Sequence, residues 1–158
     1  MLNYPNLNMI VEFSDLPKYA GAVAMVDGSF DPLHDGHIAY FEQAAALGFP
    51  LLCNVASDGW TAQKHAVLLT QQQRGVVLSA IRYIAYVHLA SSSTLEVLKM
   101  LRPRIYVKGD DWLKRGGVPQ PEMDVCAELA IEVKYLDTVR NSSSDLLLKW
   151  RTSAPKSE

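Results

Sequence analysis

Five short runs of apolar residues alternate with stretches of helical spacing along this 158-residue chain. The apolar runs lie at 22–26, 51–55, 86–89, 104–109 and 131–136, and the helical stretches at 36–47, 71–82, 95–101, 119–130 and 142–150. A continuous apolar run is typical of a strand buried on both faces, as in a parallel sheet covered by helices. The alternation therefore predicts an α/β fold of three layers with a five-stranded parallel sheet. In such sheets ligands bind beyond the carboxyl ends of the strands, so the polar loops that follow strands are the places to search for a site.

The chain has the size and composition of one compact domain, 1–158, with 49% hydrophobic and 20% charged residues. We expect a core over about 22–150 with loose ends. A formal net charge of −2 argues against binding of nucleic acid through bulk charge, and no stretch approaches the roughly 18 apolar residues that span a bilayer. Cys53 and Cys126 lie in apolar segments without metal-site spacing, which favours reduced core thiols. We therefore expect a cytoplasmic protein without a membrane or nucleic-acid partner.

The most informative loop, 27–37, joins the first strand to the first helix and reads DGSFDPLHDGH. Gly28 leaves room for a ligand near the backbone, and Gly36 lets one lie against the start of the helix. A helix start attracts phosphate because its unpaired N–H groups and the positive end of the helix dipole face the anion. His34 and His37 are three residues apart, so in a helical turn their side chains share one face. The loop predicts two imidazoles that grip a polyphosphate; the alternative is that one histidine caps the turn and the other packs in the core.

The segment GSFDPLHDGH resembles the GxFDxxHxGH signature of the nucleotidyltransferase superfamily named after its HxGH motif, which includes cytidylyltransferases and adenylyltransferases. The resemblance implies a Rossmann-like fold in which His34 and His37 contact the nucleoside triphosphate and stabilise the pentacoordinate transition state. It implies that Asp31 contacts the substrate. The residues that it places along the nucleotide are Gly28, Ser29 and Phe30.

Two further segments follow the same family pattern. The loop after the second strand carries Lys64, at the position from which family members reach the triphosphate, and Asp58, which the resemblance assigns to the substrate. The segment QQQRGVVLSAIRYIAYV resembles one that begins with an ER-like pair and ends in an IRYVD-like run, which assigns Arg74 to the nucleotide and Arg82 to catalysis. Gln73 replaces the acidic residue that precedes the first arginine. The alternatives are a solvated surface lysine at 64 and, at 82, an arginine that stabilises the end of a helix.

Two polar segments complete the resemblance. KGDDW, at 108–112, resembles a stretch of glycerol-phosphate cytidylyltransferases, sugar-phosphate nucleotidyltransferases and heptose-phosphate adenylyltransferases. The nucleotide contacts that it implies are Lys108, Gly109, Asp110 and Asp111, with Trp112 as an apolar wall at the substrate. Where the family carries small hydroxyl residues before its last helix, this chain has Ser142, Ser143 and Ser144, flanked by the departures Arg140 and Asp145. The alternatives are a polar turn and ordinary helix caps.

The resemblance covers about 22–150 and implies that a phosphate of the acceptor attacks the α-phosphorus of CTP or ATP and releases pyrophosphate. His34, His37, Lys64 and Arg82 would supply the positive or donor groups, and Mg²⁺ would accompany the triphosphate. The sequence favours CTP slightly, with a small phosphorylated polyol or sugar as acceptor. A sugar-phosphate or cofactor-precursor adenylyltransferase and a catalytically weak nucleotide-binding module stay open as alternatives. The resemblance also implies a homodimer.

Overall fold

The computed structural model describes residues 9–137 and 142–153. The strands are β1 (Ala24–Gly28), β2 (Leu51–Val55), β3 (Tyr86–Leu89), β4 (Ile105–Gly109) and β5 (Glu132–Leu136). The helices are α1 (Asp35–Ala45), α2 (Asp58–Ala62), α3 (Gln71–Ser79), α4 (Thr94–Leu101), α5 (Asp111–Lys114), α6 (Gln120–Glu128) and α7 (Ser143–Ser153), and a 3-10 helix covers Phe13–Tyr19. The predicted Rossmann-like α/β fold with a five-stranded parallel sheet is confirmed.

The sheet has the strand order β3-β2-β1-β4-β5, and every neighbouring pair is parallel. The chain runs outward from β1 to β3 and then returns to the other side of β1, where β4 lies. β1 and β4 pair only through Ala24 with Ile105 and Met25 with Tyr106, whereas β1 and β2 pair over their whole lengths. The two central strands therefore separate toward their carboxyl ends, at the point of order reversal where α/β sheets bind ligands.

Helices cover both faces of the sheet. Side chains alternate along a strand, so Val26 faces one layer and Met25 the other. The first layer contains the buried faces of α1 and α3, represented by Phe41 and Leu78. The second contains α4, α6 and the 3-10 helix, whose Leu16 is fully buried. Both cysteines are buried free thiols, as predicted.

The structure differs from the sequence prediction mainly at short elements. The helices α2 and α5 were not predicted, because four or five residues are too few for a periodic apolar pattern. The core also reaches closer to the amino terminus than residue 22: the Val11 amide donates to the Val87 carbonyl at 2.8 Å. Within the described ranges, none of the helices combines the length and the apolar character needed to cross a bilayer.

Candidate active site

His34 and His37 form the first turn of α1 through a reciprocal cap. The Nδ1 atom of His34 accepts a hydrogen bond from the Gly36 amide at 3.1 Å, and Nδ1 of His37 accepts from the His34 amide at 3.3 Å. A Cβ atom at position 36 would lie 2.9 Å from Cε1 of His34, so only glycine lets the ring fold back over the helix start. The histidines thus satisfy two amides of the helix start themselves.

The cap also fixes which nitrogen carries the proton. Because both Nδ1 atoms accept hydrogen bonds, the neutral rings carry hydrogen on Nε2. The rings stack with centroids 3.8 Å apart, and burial lowers the pKa of His34 and lowers the pKa of His37 to about 3. His34 Nε2 is buried without a hydrogen-bond partner among the described residues. At neutral pH the pair therefore offers uncharged N–H donors.

Phe30 packs against the histidine turn. Its ring packs edge-on against His37 and against Phe41, each with a centroid separation of 5.1 Å. Its φ of 51° is in the left-handed region, which bulky residues rarely adopt. A Cβ atom at Gly28 would approach the Phe30 ring to 3.0 Å, so that glycine makes room for the aromatic support. The nucleotide contacts predicted at these positions stay a prediction.

Arg74 is buried, with 1% exposure, and joins three loops at the edge of the sheet. Its guanidinium donates to the Ser29 carbonyl at 2.7 Å, to Asp58 Oδ1 at 2.7 Å and to the Leu69 carbonyl at 3.0 Å. The partner of this arginine is thus Asp58 and not residue 73, since Gln73 takes part in the cap of α3. Arg74 thus acts as a clamp that holds the three loops together, and the nucleotide contact predicted for it stays a prediction.

Asp31 is also engaged within the protein. It is fully buried, and its two carboxylate oxygens accept from the amides of Leu68 and Leu69 at 2.8 and 3.1 Å. Asp58, the other acidic residue assigned to the substrate, holds Arg74 and begins α2. The structure places both carboxylates as loop anchors outside the residues that line the cavity described next.

A cavity of about 620 Å³ opens beyond the carboxyl ends of β1, β2, β3 and β4. Of the predicted site residues, Gly28, Lys64, Lys108 and Trp112 line it. Its polar wall also includes residues that sequence reasoning missed, namely Asp27, Asn54, Ser92, Thr94 and Glu122. Oδ1 of Asn54, a residue only 3% exposed, and Oγ of Ser92 are buried without a hydrogen-bond partner in the described part of the chain. Asn54 could have been found as a polar residue inside an otherwise apolar strand.

A charged network crosses the gap between β1 and β4 in the wall of this cavity. Lys108 Nζ donates to Asp27 Oδ1 at 2.7 Å, and the Tyr106 hydroxyl lies 3.0 Å from Asp27 Oδ2 and 3.1 Å from Glu122 Oε2. Burial raises the pKa of Glu122 and raises that of the Tyr106 hydroxyl. Partial desolvation of the Lys64 ammonium, and then the charges of Arg115 and Lys108, lower the pKa of Lys64.

Four more of the predicted site residues do not line the cavity. Arg82 is exposed before the amino end of β3, whereas the cavity lies at the carboxyl ends of the strands. It donates to the Tyr83 hydroxyl at 2.7 Å, so the structure does not bring it to the site as a catalytic group. Asp110 and Asp111 form ion pairs along α5 with Lys114 and Arg115. Gly109 is buried as the last residue of β4.

The serines at the start of α7 lie beside the histidine turn. Ser143 Oγ donates to the Pro32 carbonyl at 2.8 Å, and the Asp145 amide donates to Ser142 Oγ at 3.0 Å. The starts of α1 and α7 therefore lie close together, and the nucleotide contacts predicted for the serines stay a prediction. Ser144 is exposed in the first turn, and Arg140 is outside the described residues.

One family model and several relatives match this chain. The family model described as "Cytidylyltransferase-like" matches residues 25–145. A "Bifunctional protein HldE" from Syntrophotalea carbinolica is 36% identical over 131 residues, which are 80% of this chain and 26% of the relative. Another from Nitratiruptor sp. is 28% identical over 139 residues, or 85% of this chain and 29% of the relative. The chain spans less than a third of the length of these relatives.

Solved structures share the fold. The "lipopolysaccharide core biosynthesis protein" from Thermoplasma volcanium superposes with a TM-score of 0.61 at 22% identity, covering 77% of this chain and 98% of that one. The "Pantoate-beta-alanine Ligase" from Francisella tularensis superposes with a TM-score of 0.60 at 10% identity, covering 89% of this chain and 72% of that one. At these identities the likeness concerns the fold alone.

Proposed function

Because the chain belongs to the cytidylyltransferase-like family, we propose that it transfers the nucleotidyl group of a nucleoside triphosphate to a small phosphorylated sugar or polyol and releases pyrophosphate. One observation carries the proposal: the loop that leaves β1 at Gly28, a residue of the cavity wall, leads into the histidine turn. On one side the stacked imidazoles present N–H donors at the start of α1. On the other lies the 620 Å³ cavity with unpartnered polar atoms.

The chemistry requires positioning more than covalent participation. A phosphate oxygen of the acceptor forms a bond to the α-phosphorus, and the bond from that phosphorus to the oxygen bridging to the β-phosphate breaks, so pyrophosphate leaves with the electron pair. No side chain need act as nucleophile. We assign the triphosphate to His34, His37 and the start of α7, because donors held in place stabilise charge that develops in the transition state. Lys64, in the cavity wall, would neutralise the reacting phosphates.

Mg²⁺ fits this site as a companion of the triphosphate. Among residues 9–137 and 142–153, no group of three or more His, Cys, Asp or Glu side chains is arranged to hold a metal ion. Mg²⁺ commonly keeps several waters and binds through substrate phosphates, so a dedicated protein cage is not required. When bound, the ion would draw charge from the phosphate oxygens, and His34 and His37 would hold the phosphates in position.

The nucleotide that we propose first is ATP. The HldE relatives suggest sugar-phosphate adenylyl transfer, and the KGDDW segment resembles heptose-phosphate adenylyltransferases. CTP is the second candidate, since it is the nucleotide that the sequence favoured and the family model is described as cytidylyltransferase-like. The homodimer stays a prediction, and sedimentation of a 17.5 kDa species at micromolar concentration would contradict it.

A thermal-shift titration with ATP, CTP, GTP and UTP, each with Mg²⁺, tests the nucleotide. A ligand at 100 times its Kd stabilises the native state by about 2.7 kcal/mol, so selective stabilisation by ATP supports the first candidate and by CTP the second. The preferred nucleotide is then incubated with a panel of sugar and polyol phosphates, and pyrophosphate release is measured. Nucleotide binding without pyrophosphate release from any acceptor would favour the catalytically weak binding module instead.

A further inference from the structure

The ammonium group of Lys108 lies inside a cage of aromatic rings and one carboxylate. Its Nζ is 4.2 Å from the ring centroid of Trp112, 4.9 Å from that of Tyr106 and 2.7 Å from Asp27 Oδ1. Only 4% of Lys108 is exposed. Aromatic faces within about 6 Å of a cation attract it, and such cages are how proteins recognise ammonium ligands. Here the cation in the cage belongs to the protein itself.

The cage is completed by its other contacts. Asp27 Oδ2 lies 3.0 Å from the Tyr106 hydroxyl and 3.3 Å from Thr94 Oγ1, so both oxygens of the carboxylate have partners. Removing the ammonium would leave a carboxylate, whose side chain is 12% exposed, without its counter-ion. The geometry therefore demands a cation at this point, and Lys108 supplies it.

We propose that Lys108 acts as a resident cation that fills this cage, so that the cavity takes acceptors whose part beyond the phosphate is uncharged and hydroxyl-bearing and excludes acceptors that carry an ammonium group. The selectivity rests on the function proposed above, whereas the filled cage does not. Lys108 is in this sense a residue that determines specificity, in place of the nucleotide contact predicted for it.

The remaining lining groups agree with this class of acceptor. Beside Asp27, Glu122 is the only carboxylate lining the described cavity, and its Oε2 is 3.1 Å from the Tyr106 hydroxyl. The unpartnered oxygens of Asn54 and Ser92 accept hydrogen bonds, as hydroxyl groups of a sugar or polyol would donate. Lys64 offers its charge to the acceptor phosphate.

The cage is tested first without any enzymatic assay. In the Lys108→Ala variant, methylammonium chloride should raise the melting temperature by about 2 to 4 °C more than sodium chloride at equal ionic strength. The wild type should show no such difference, because its cage is full. Lys114→Ala is the matched control: it also removes a lysine from a carboxylate, Asp110, but at an exposed site. A folded Lys108→Ala protein that responds equally to both salts would overturn the proposal.

A second variant covers the case in which the buried charge prevents folding. Asp27→Asn/Lys108→Ala lacks both charges and should fold without a selective response to methylammonium. If Lys108→Ala alone does not unfold cooperatively in sodium chloride, methylammonium should restore a cooperative transition to it. Failure to restore that transition, while the double variant folds, would equally overturn the cage.

The selectivity is tested with two acceptors that differ at one group, 2-hydroxyethyl phosphate and 2-aminoethyl phosphate. We expect the wild type to prefer the hydroxyl compound at least tenfold in kcat/KM, and Lys108→Ala to shift that ratio toward the amine. Equal use of both compounds by the wild type would overturn the selectivity claim. Turnover of no acceptor, together with a positive methylammonium result, would instead contradict the proposed function and leave the cage standing.

Discussion

The Arg74 clamp and the histidine turn lie side by side at the end of β1, and they differ in how completely their polar groups are used. Each of the three guanidinium nitrogens of Arg74 donates one hydrogen bond within the protein, to the Leu69 carbonyl, the Ser29 carbonyl and Asp58. The histidine turn satisfies its own helix start but leaves Nε2 of His34 buried without a partner among the described residues. A group whose nitrogens all have partners within the protein positions the chain, whereas an unsatisfied buried donor marks the place where a ligand completes the structure.

The largest effect is expected at the unsatisfied donor. His34→Asn keeps a side-chain acceptor for the Gly36 amide but removes the Nε2 donor, so turnover should fall about 10²- to 10³-fold with stability almost unchanged. His34→Ala should lose the same activity and, in addition, about 1 kcal/mol of unfolding free energy, because the cap is gone. Steady-state pyrophosphate release and urea unfolding measure the two quantities. Full activity in His34→Asn would show that His34, like Arg74, only positions the chain.

Arg74, whose three nitrogens all have partners within the protein, should show the reverse pattern. Arg74→Leu leaves the part-buried carbonyls of Ser29 and Leu69 and the carboxylate of Asp58 without their donor, so unfolding free energy should fall by about 3 kcal/mol. Arg82→Leu, an exposed arginine a few residues further along the chain, should change stability by no more than about 0.5 kcal/mol. Urea unfolding of both variants decides the matter, and a stability loss at Arg82 as large as at Arg74 would contradict the assignment of the clamp.

Two glycines sharpen the comparison further, since each is the second residue of a helix that begins with aspartate. A Cβ atom at Gly36 meets the His34 ring at 2.9 Å, whereas at Gly59 the nearest atom is Ser57 Oγ at 4.0 Å. Gly36→Ala should therefore cost about 2 kcal/mol by forcing the ring aside, and Gly59→Ala should leave stability equal or slightly raised. Equal melting temperatures for the two variants would show that the ring does not depend on position 36.

The burial of the histidine turn also predicts a pH dependence of stability. Burial lowers the pKa of His37 from its ordinary value of 6.5 to about 3. Between these two pH values the unfolded chain therefore binds a proton at His37 that the folded protein does not bind. Stability is complete above about pH 6.5 and should fall by about 1.4 kcal/mol for each unit as the pH drops below it. His34 and His88, whose pKa values are also lowered by burial, act in the same direction. A His37→Gln variant with an unchanged slope in urea titrations at pH 4.5–7 would contradict this origin.

The fold was predictable because apolar runs and helical spacing report burial directly. The nucleotidyltransferase class predicted from GSFDPLHDGH is likewise confirmed by the family match. The roles of single residues within the site were harder to predict, because the sequence does not reveal whether a charged side chain is paired with a ligand or with another group of the protein. Arg74 and Asp31 look like binding residues until their partners within the protein are seen. The position of Arg82 relative to the site depends on the length of α3, which the sequence pattern does not fix. Asn54, in contrast, could have been found, because it is a polar residue buried in an otherwise apolar strand.

The central claim, that the buried Nε2 donor of the histidine turn binds the triphosphate, is tested most directly by nitrogen NMR of the imidazoles. In protein labelled with ¹⁵N-histidine, we expect His34 and His37 to carry hydrogen on Nε2 at pH 7. Addition of ATP or CTP with Mg²⁺ should shift the Nε2 resonances of these two rings and leave those of His88, whose Nδ1 donates to the Val11 carbonyl at 2.8 Å, unchanged. Saturating nucleotide binding that leaves the resonances of His34 and His37 in place would contradict the account.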